Sequence, residues 1–137
     1  MRDSRSDALR WLRQAQNDLA FGRVALREDF FHQACFIAQQ SAEKAVKALA
    51  YHLGERVVLG HSLVELVHRY ADRVSGLGEL LEAAGVLDQY YVPTRYPNGL
   101  PGGVPFETFG AAQGREALER AEAFVTLARQ HLGDPEP

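Results

Sequence analysis

Two lysines, Lys44 and Lys47, stand on one predicted helix together with Gln40 and Tyr51. Because the spacings are four, three and four residues, these side chains project from the same helix face. Ammonium and amide groups donate hydrogen bonds to phosphate oxygens, and a tyrosine ring can stack on a base. The face is therefore a candidate ligand-binding surface. The alternative is a solvated face on which Glu43 pairs with Lys47, an i,i+4 contact worth about 0.2–0.5 kcal/mol.

A second candidate surface is the segment 87–99, LDQYYVPTRYPNG, which combines charged and aromatic side chains. The residues suited to recognition are Asp88, Tyr90, Tyr91, Arg95 and Tyr96. The planar guanidinium of Arg95 can bind a phosphate through two parallel hydrogen bonds, and the prolines on either side restrict the backbone. The alternative is structural: Arg95 forms a salt bridge with Asp88 or Glu43, and so holds the segment against the helices.

His61 lies immediately before Ser62, at a predicted helix N-terminus, where backbone amides and the helix dipole attract anions. The alternative is that His61 simply precedes a helix cap. The histidines, carboxylates and the single Cys35 show no spacing typical of a zinc or iron site, so the sequence predicts no metal and no other cofactor. Cys35 lies in an apolar stretch, which favours a buried, unreactive thiol over a nucleophile.

Helices must position these side chains, because small and apolar residues recur every three or four positions in three long stretches. The pattern predicts helices over about 6–27, 30–53, 62–74, 79–91 and 112–132. The Pro/Gly-rich segment between them, about 92–110, is predicted to be a long irregular loop. The predicted fold class is all-α: an up-and-down antiparallel bundle of four to five helices, with this loop before the last helix.

Local signals predict where two of the helices begin. Asp29 is predicted to cap the second helix. Ser62 and Glu65 have the spacing of a capping box, in which each side chain bonds to the backbone amide of the other residue. The whole chain, 1–137, is predicted to be one domain whose ends, 1–5 and 133–137, are frayed.

The composition is 46% hydrophobic and 24% charged with a net charge of −3, which argues against a wholly basic nucleic-acid binder. A basic site must therefore be local. The N-terminus lacks the apolar core of a secretory signal, no apolar run approaches the roughly 20 residues that span a bilayer, and one cysteine forms no internal disulfide. These features predict a cytoplasmic protein without membrane contact.

The helix faces that are predicted to pack together, the helix seams, are rich in alanine and bury modest area. Because a second copy of the chain would cover more apolar surface, this pattern predicts a homodimer.

Three segments together resemble the HEPN family, small helical bundles that accompany nucleotidyltransferases in prokaryotes. They are QQSAEKAVKAL at 39–49, GHSLVEL at 60–66 and LDQYYVPTRYPNG at 87–99, and the resemblance extends from about Leu9 to Val125. It implies a dimer, and a minimal nucleotidyltransferase as partner in a toxin-antitoxin type of pair. It also implies that the loop carrying Arg95 folds back across the second helix. We therefore predict that Arg95 and Lys44 lie close enough to share one anionic ligand.

Many HEPN proteins are metal-independent ribonucleases that carry an arginine and a histidine four to six residues apart. This chain has two such spacings, Arg27 with His32 and Arg56 with His61, but neither stands where the family places its pair. After Arg95 the next histidine is His131. The resemblance therefore implies a non-catalytic module that binds a nucleotide or RNA. Two alternatives stay open: a weak ribonuclease that uses Arg95 with a histidine brought near by folding, and a structural helical adaptor.

Overall fold

The computed structural model describes residues 3–133, and all regular secondary structure in that range is helical. The helices are α1 (Ser4–Arg27), α2 (Phe31–His52), α3 (Leu63–Tyr70), α4 (Leu81–Asp88), α5 (Pro105–Thr108) and α6 (Ala111–Leu132). Short 3₁₀ turns cover Gly78–Leu80 and Pro97–Gly99. The predicted all-α class is confirmed, and α5 is a single turn inside the segment predicted as a loop.

The long helices α1, α2 and α6 form the core. The predicted apolar seam of α1 faces inward, since Ala8, Leu12, Ala15, Leu19 and Gly22 are all buried. The helices approach closely at Gly22, where an added Cβ would lie 2.5 Å from the Leu118 side chain of α6 and 2.8 Å from Ile37 of α2. Small residues on the seams permit this approach. The antiparallel course of α1 and α2 brings the start of α1 beside the end of α2.

The helix boundaries differ from the predictions mainly in the second half of the chain. The third helix ends at Tyr70 rather than near 74, and the chain continues in turns. The fourth helix spans Leu81–Asp88 rather than 79–91, with a 3₁₀ turn before it and turns after it. At the N-terminus α1 already begins at Ser4. The predicted fraying of residues 1–2 and 134–137 lies outside the described residues.

Asp29 does not cap α2, so that prediction is wrong. The N-cap position is held by Phe30, which has no side-chain capping bond. Asp29 instead adopts a left-handed backbone conformation with φ 66°, which aspartate tolerates better than most residues. The amide of Phe30 then bonds to the Ala25 carbonyl oxygen at 2.8 Å. Asp29 therefore serves to end α1 rather than to start α2.

The start of α3 is capped by two side chains, one local and one distant. Ser62 Oγ accepts the Glu65 amide at 3.2 Å, as predicted. The predicted return bond from the Glu65 side chain does not form within residues 3–133. Asp88, the last residue of α4, accepts the Leu63 amide at 2.8 Å, the Val64 amide at 3.0 Å and the Ser62 hydroxyl at 2.9 Å. The end of α4 is thereby fixed to the start of α3.

No helix within residues 3–133 is both long enough and apolar enough to cross a membrane.

Candidate functional site

One stripe of α2 carries most of the chemistry-bearing residues. Its members are Phe36, Gln40, Glu43, Lys44, Lys47 and Tyr51. With 3.6 residues per turn, these positions lie within about 100° of the helix circumference. The first half of α1 borders the stripe on one side. His61 and the turn 90–96 contact it from the other side. The two surfaces predicted from the sequence therefore meet on one helix.

Arg95 is held among three aromatic rings. Its guanidinium carbon lies 4.5 Å from the ring centre of Phe36, 4.5 Å from that of Tyr91 and 5.1 Å from that of Tyr96. Its Nε donates a 2.7 Å hydrogen bond to the Tyr91 carbonyl oxygen. Cation–π contacts of this kind contribute about 0.5–2 kcal/mol and fix the plane of the guanidinium. Phe36 was missed in the sequence, although it stands one helical turn before Gln40 on the same stripe.

The turn that carries Arg95 is itself well anchored. Thr94 is 2% exposed, and its hydroxyl donates to the Tyr90 carbonyl oxygen. The amides of Arg95 and Tyr96 both bond to the Val92 carbonyl oxygen, at 3.0 and 3.2 Å. The Arg95 side chain therefore projects from a folded turn, although sequence patterns predicted an irregular loop from about 92.

Arg95 forms no salt bridge with a carboxylate anywhere in residues 3–133. The two partners expected from the sequence are engaged elsewhere: Asp88 caps α3, and Glu43 Oε2 lies 3.1 Å from Lys47 Nζ. Beyond the Nε bond to Tyr91, the guanidinium makes no hydrogen bond within this part of the chain. Its two terminal nitrogens are thus free to donate to a ligand, and the rings rather than an ion pair hold the side chain in place.

Glu43 and Lys47 form a buried ion pair, where the sequence indicated at most a solvated one. Their side chains are only 5% and 6% exposed. The second carboxylate oxygen of Glu43, Oε1, is buried and has no hydrogen-bond partner among residues 3–133. Removing charges from water is costly unless each is well paired, so a buried pair with an unpartnered oxygen needs an explanation in function or in strain.

His61 connects this ion pair to the Arg95 rings. Its Nδ1 lies 3.3 Å from Glu43 Oε2, and its ring stacks on Tyr91 with centres 5.4 Å apart and planes 18° apart. The His61 side chain is nevertheless 61% exposed. The Gln39 side-chain amide donates to the His61 carbonyl oxygen at 2.9 Å, which holds the backbone of the loop. The fold therefore places a carboxylate-bound, solvent-accessible imidazole one ring away from Arg95.

The other predicted residues lie further along the stripe. Lys44 Nζ bonds to Asp18 Oδ2 of α1 at 2.5 Å, and the Gln40 side-chain amide bonds to Gln39 Oε1 at 2.8 Å. The eight residues from Phe36 to Lys44 correspond to about 12 Å of helix. A ligand shared by Arg95 and Lys44 therefore needs more than one phosphate, and that sharing stays a prediction.

Tyr51 and Lys47 both contact Trp11, the only tryptophan in the chain. The rings of Trp11 and Tyr51 are stacked 5.6 Å apart at 23°, and Lys47 Nζ lies 5.6 Å from the Trp11 ring centre. Trp11 was also missed in the sequence. The available signal was its position on α1, one residue before the seam residue Leu12, which places it at the edge of the α2 contact.

Cys35 is not a reactive group of this site. Cys35 is fully buried, and burial raises the pKa of its thiol to about 12, so the group stays protonated and unreactive near neutral pH. Within the described residues no group of three or more His, Cys, Asp or Glu side chains is arranged to hold a metal ion.

Comparisons with known proteins give a consistent result. Residues 8–131 match the HEPN domain model. The chain is similar to TT1696 from Thermus thermophilus, with 36% identity, a TM-score of 0.85, and 90% of this chain and 96% of that chain covered. An archaeal HEPN homologue, ST0689, is 30% identical with a TM-score of 0.76, and coverage is 91% and 97%. A comparison with functionally curated proteins gave no match.

A HEPN domain protein from Thermotoga maritima, TM0613, aligns over 90% of this chain and 98% of its own length, with 27% identity and a TM-score of 0.71. The family model spans nearly all of the helices described above, from within α1 to the last turn of α6. Sequence and fold thus agree over the same residues, and the chain belongs to the HEPN family.

Proposed function

We propose that this HEPN protein binds a nucleotide or an RNA through its phosphate groups, and that it does so without catalysis. The observation that supports this most strongly is the state of Arg95, whose guanidinium is oriented by three rings and has no carboxylate partner within residues 3–133. Phosphate fits two parallel N–H donors. Because the guanidinium plane is already fixed, little side-chain freedom is lost when the ligand binds.

Arg95 needs help from its neighbours to reach useful affinity. One charge-assisted contact contributes about 1.5–3 kcal/mol, whereas micromolar binding requires about 8 kcal/mol. Tyr96 is 51% exposed and can stack on a base. The exposed His61 ring lies beside these rings and can pack against the ligand, while Lys44 stands further along α2. Together these groups offer the chemistry that a nucleotide with more than one phosphate, or an RNA strand, requires.

A titration of nucleotides and short single-stranded RNAs into the folded protein tests the proposal directly. We expect saturable binding in the micromolar range that weakens as the salt concentration rises, since phosphate contacts release counterions. A folded protein that binds none of these ligands at low salt would instead favour the structural adaptor, in which the polar residues only hold the helices together.

The proposed partner is a minimal nucleotidyltransferase, with the HEPN chain as the toxin of the pair. This part of the proposal rests on family membership. Expression of the chain alone in a bacterial host should slow growth, and co-expression of a nucleotidyltransferase encoded beside it should restore growth. Unchanged growth on expression of the folded chain alone would argue against the toxin role.

The protein is also proposed to act as a homodimer. Apolar side chains on α1 and in the turn after it are exposed: Phe21 at 52%, Val24 at 41% and Phe30 at 56%. Exposed apolar residues that lie close together often mark a contact with another chain. Light scattering over a wide range of concentrations measures the mass, and a monomer at the highest concentration contradicts this proposal.

A weak metal-independent ribonuclease is the second candidate, and the Glu43–His61 contact favours it. A carboxylate that accepts from Nδ1–H leaves the Nε2 lone pair of the exposed imidazole available to take a proton. The family reaction needs a base for the ribose 2′-hydroxyl and a cation for the phosphate. His61 and Arg95 could supply these two groups.

Incubation of RNA with the protein in the presence of a chelator separates the two candidates. The non-catalytic proposal expects no more cleavage by wild type than by His61→Ala. If wild type releases fragments ending in a 2′,3′-cyclic phosphate, and both His61→Ala and Arg95→Ala abolish that product while staying folded, the ribonuclease replaces the binding module as the better account.

A further inference from the structure

A groove with a volume of about 830 Å³ lies between the first half of α1 and the second half of α2. Its lining includes Trp11, Arg13 and Asn17 from α1, together with Lys44 and Tyr51 from α2. Only Lys44 and Tyr51 of these were candidates from the sequence. The groove does not include the rings that hold Arg95.

The groove carries a net positive charge. Its two acidic neighbours are each paired locally: Asp7 lies 3.6 Å from Arg10, and Asp18 lies 2.5 Å from Lys44. Arg13 is exposed and has no acidic partner within residues 3–133. Each of these two carboxylates is balanced by one cation, so the positive charge of Arg13 is not balanced by an acidic residue of the groove. An anionic ligand is the kind that this surface attracts.

The groove also contains several hydrogen-bond donors. The Trp11 indole N–H, the Tyr51 hydroxyl and the Asn17 amide make no hydrogen bonds within the described part of the chain. These groups suit phosphate, sugar and base oxygens alike. A ligand that is both anionic and rich in acceptors, such as a nucleic-acid strand, matches this combination better than a simple anion does.

The α2 stripe joins this groove to Arg95. Phe36, which packs on Arg95, and Tyr51, which lines the groove, are fifteen residues apart on one helix face. That interval corresponds to about 22 Å. A stacked strand rises about 3.4 Å along its axis per nucleotide, so an interval of this length corresponds to about six nucleotides. Gln40 and Lys44 stand between the two ends on the same stripe.

From this arrangement we propose that the groove and the Arg95 rings are two ends of one binding track for single-stranded RNA. The inference rests on the proposed function and deepens it, because it makes the ligand a strand of about six nucleotides rather than a mononucleotide. The strand must be unpaired at the Arg95 end, because the exposed Tyr96 ring can stack only on a base that is free of a duplex. Arg13 contacts a phosphate at the far end of the track.

Trp11 makes the proposal directly measurable, since the only tryptophan lies in the groove and its fluorescence reports on that end of the track. A single-stranded octanucleotide should change Trp11 fluorescence and bind at least about tenfold more tightly than a dinucleotide. Arg13→Ala should weaken octanucleotide binding by about tenfold, the loss of one charged contact, and leave dinucleotide binding unchanged. The matched control is Arg115→Ala on α6, also exposed and without an ion pair within residues 3–133.

The possible failures are distinguishable. If both oligonucleotides bind equally in an Arg95-dependent manner and Trp11 fluorescence stays constant, the track is overturned while the proposed function stands. A duplex RNA that binds as tightly as the single strand, or an Arg13→Ala variant that binds the octanucleotide at full strength, also overturns it. If folded wild type binds neither oligonucleotide, the proposed function fails and this inference falls with it.

Discussion

Arg95→Ala should weaken the binding of a short single-stranded RNA by about 10–100-fold, which corresponds to the loss of one charged contact of about 1.5–3 kcal/mol. The guanidinium is packed among three rings, and its two terminal nitrogens make no hydrogen bond within residues 3–133. The substitution therefore removes hydrogen-bond donors that are available to the ligand. Binding titrations at constant low salt measure the effect. The slope of affinity against salt should also become shallower, because one phosphate contact is lost.

Two further variants separate recognition from packing. Arg95→Lys keeps the charge but loses the planar fork, so it should restore only part of the affinity. Arg115→Ala removes an exposed charge from α6 and should leave binding unchanged. If Arg95→Ala instead lowers the melting temperature and binds RNA at full strength while folded, Arg95 serves only to hold the turn 90–96 against α2, and the proposed site is wrong.

Lys47→Met should lower the free energy of unfolding by about 3–5 kcal/mol, the usual effect of removing one partner from a buried ion pair. The Lys47 side chain is 6% exposed and its Nζ lies 3.1 Å from Glu43 Oε2, while Glu43 Oε1 has no partner in the described part of the chain. Methionine fills nearly the same volume, so the effect comes from the carboxylate left without its cation rather than from a cavity. Denaturant unfolding curves measure the loss.

The double variant Glu43→Gln with Lys47→Met provides the control, since it removes both charges and keeps the volume. It should be more stable than Lys47→Met alone, because no unpaired charge is then buried. His61 should still contact the amide oxygen of the new glutamine. A Lys47→Met variant within about 0.5 kcal/mol of wild type would mean that water reaches this pair and that it acts as an ordinary surface contact.

The sequence by itself determined the three long helices and the faces that they bury. The recurrence of small and apolar residues on α1, such as Ala8, Leu12 and Ala15, is a local property of a 3.6-residue helix and specifies which side must be covered. The capping of α3 by Ser62 could also be predicted from the sequence, because the Ser62 hydroxyl accepts a hydrogen bond from the amide of Glu65, only three residues away. The segment that carries Arg95, Tyr91 and Tyr96 also stood out by composition alone.

Only the tertiary structure decided which side chains meet. Asp88 caps a helix that begins 25 residues earlier, and Glu43 contacts His61 across 18 residues of chain. Neither pairing has a local signature, since the partners sit on different elements whose relative positions come from core packing. The burial of Lys47 beneath Trp11 has the same origin. Sequence periodicity fixes a face, whereas the identity of the neighbour on that face depends on how whole helices pack.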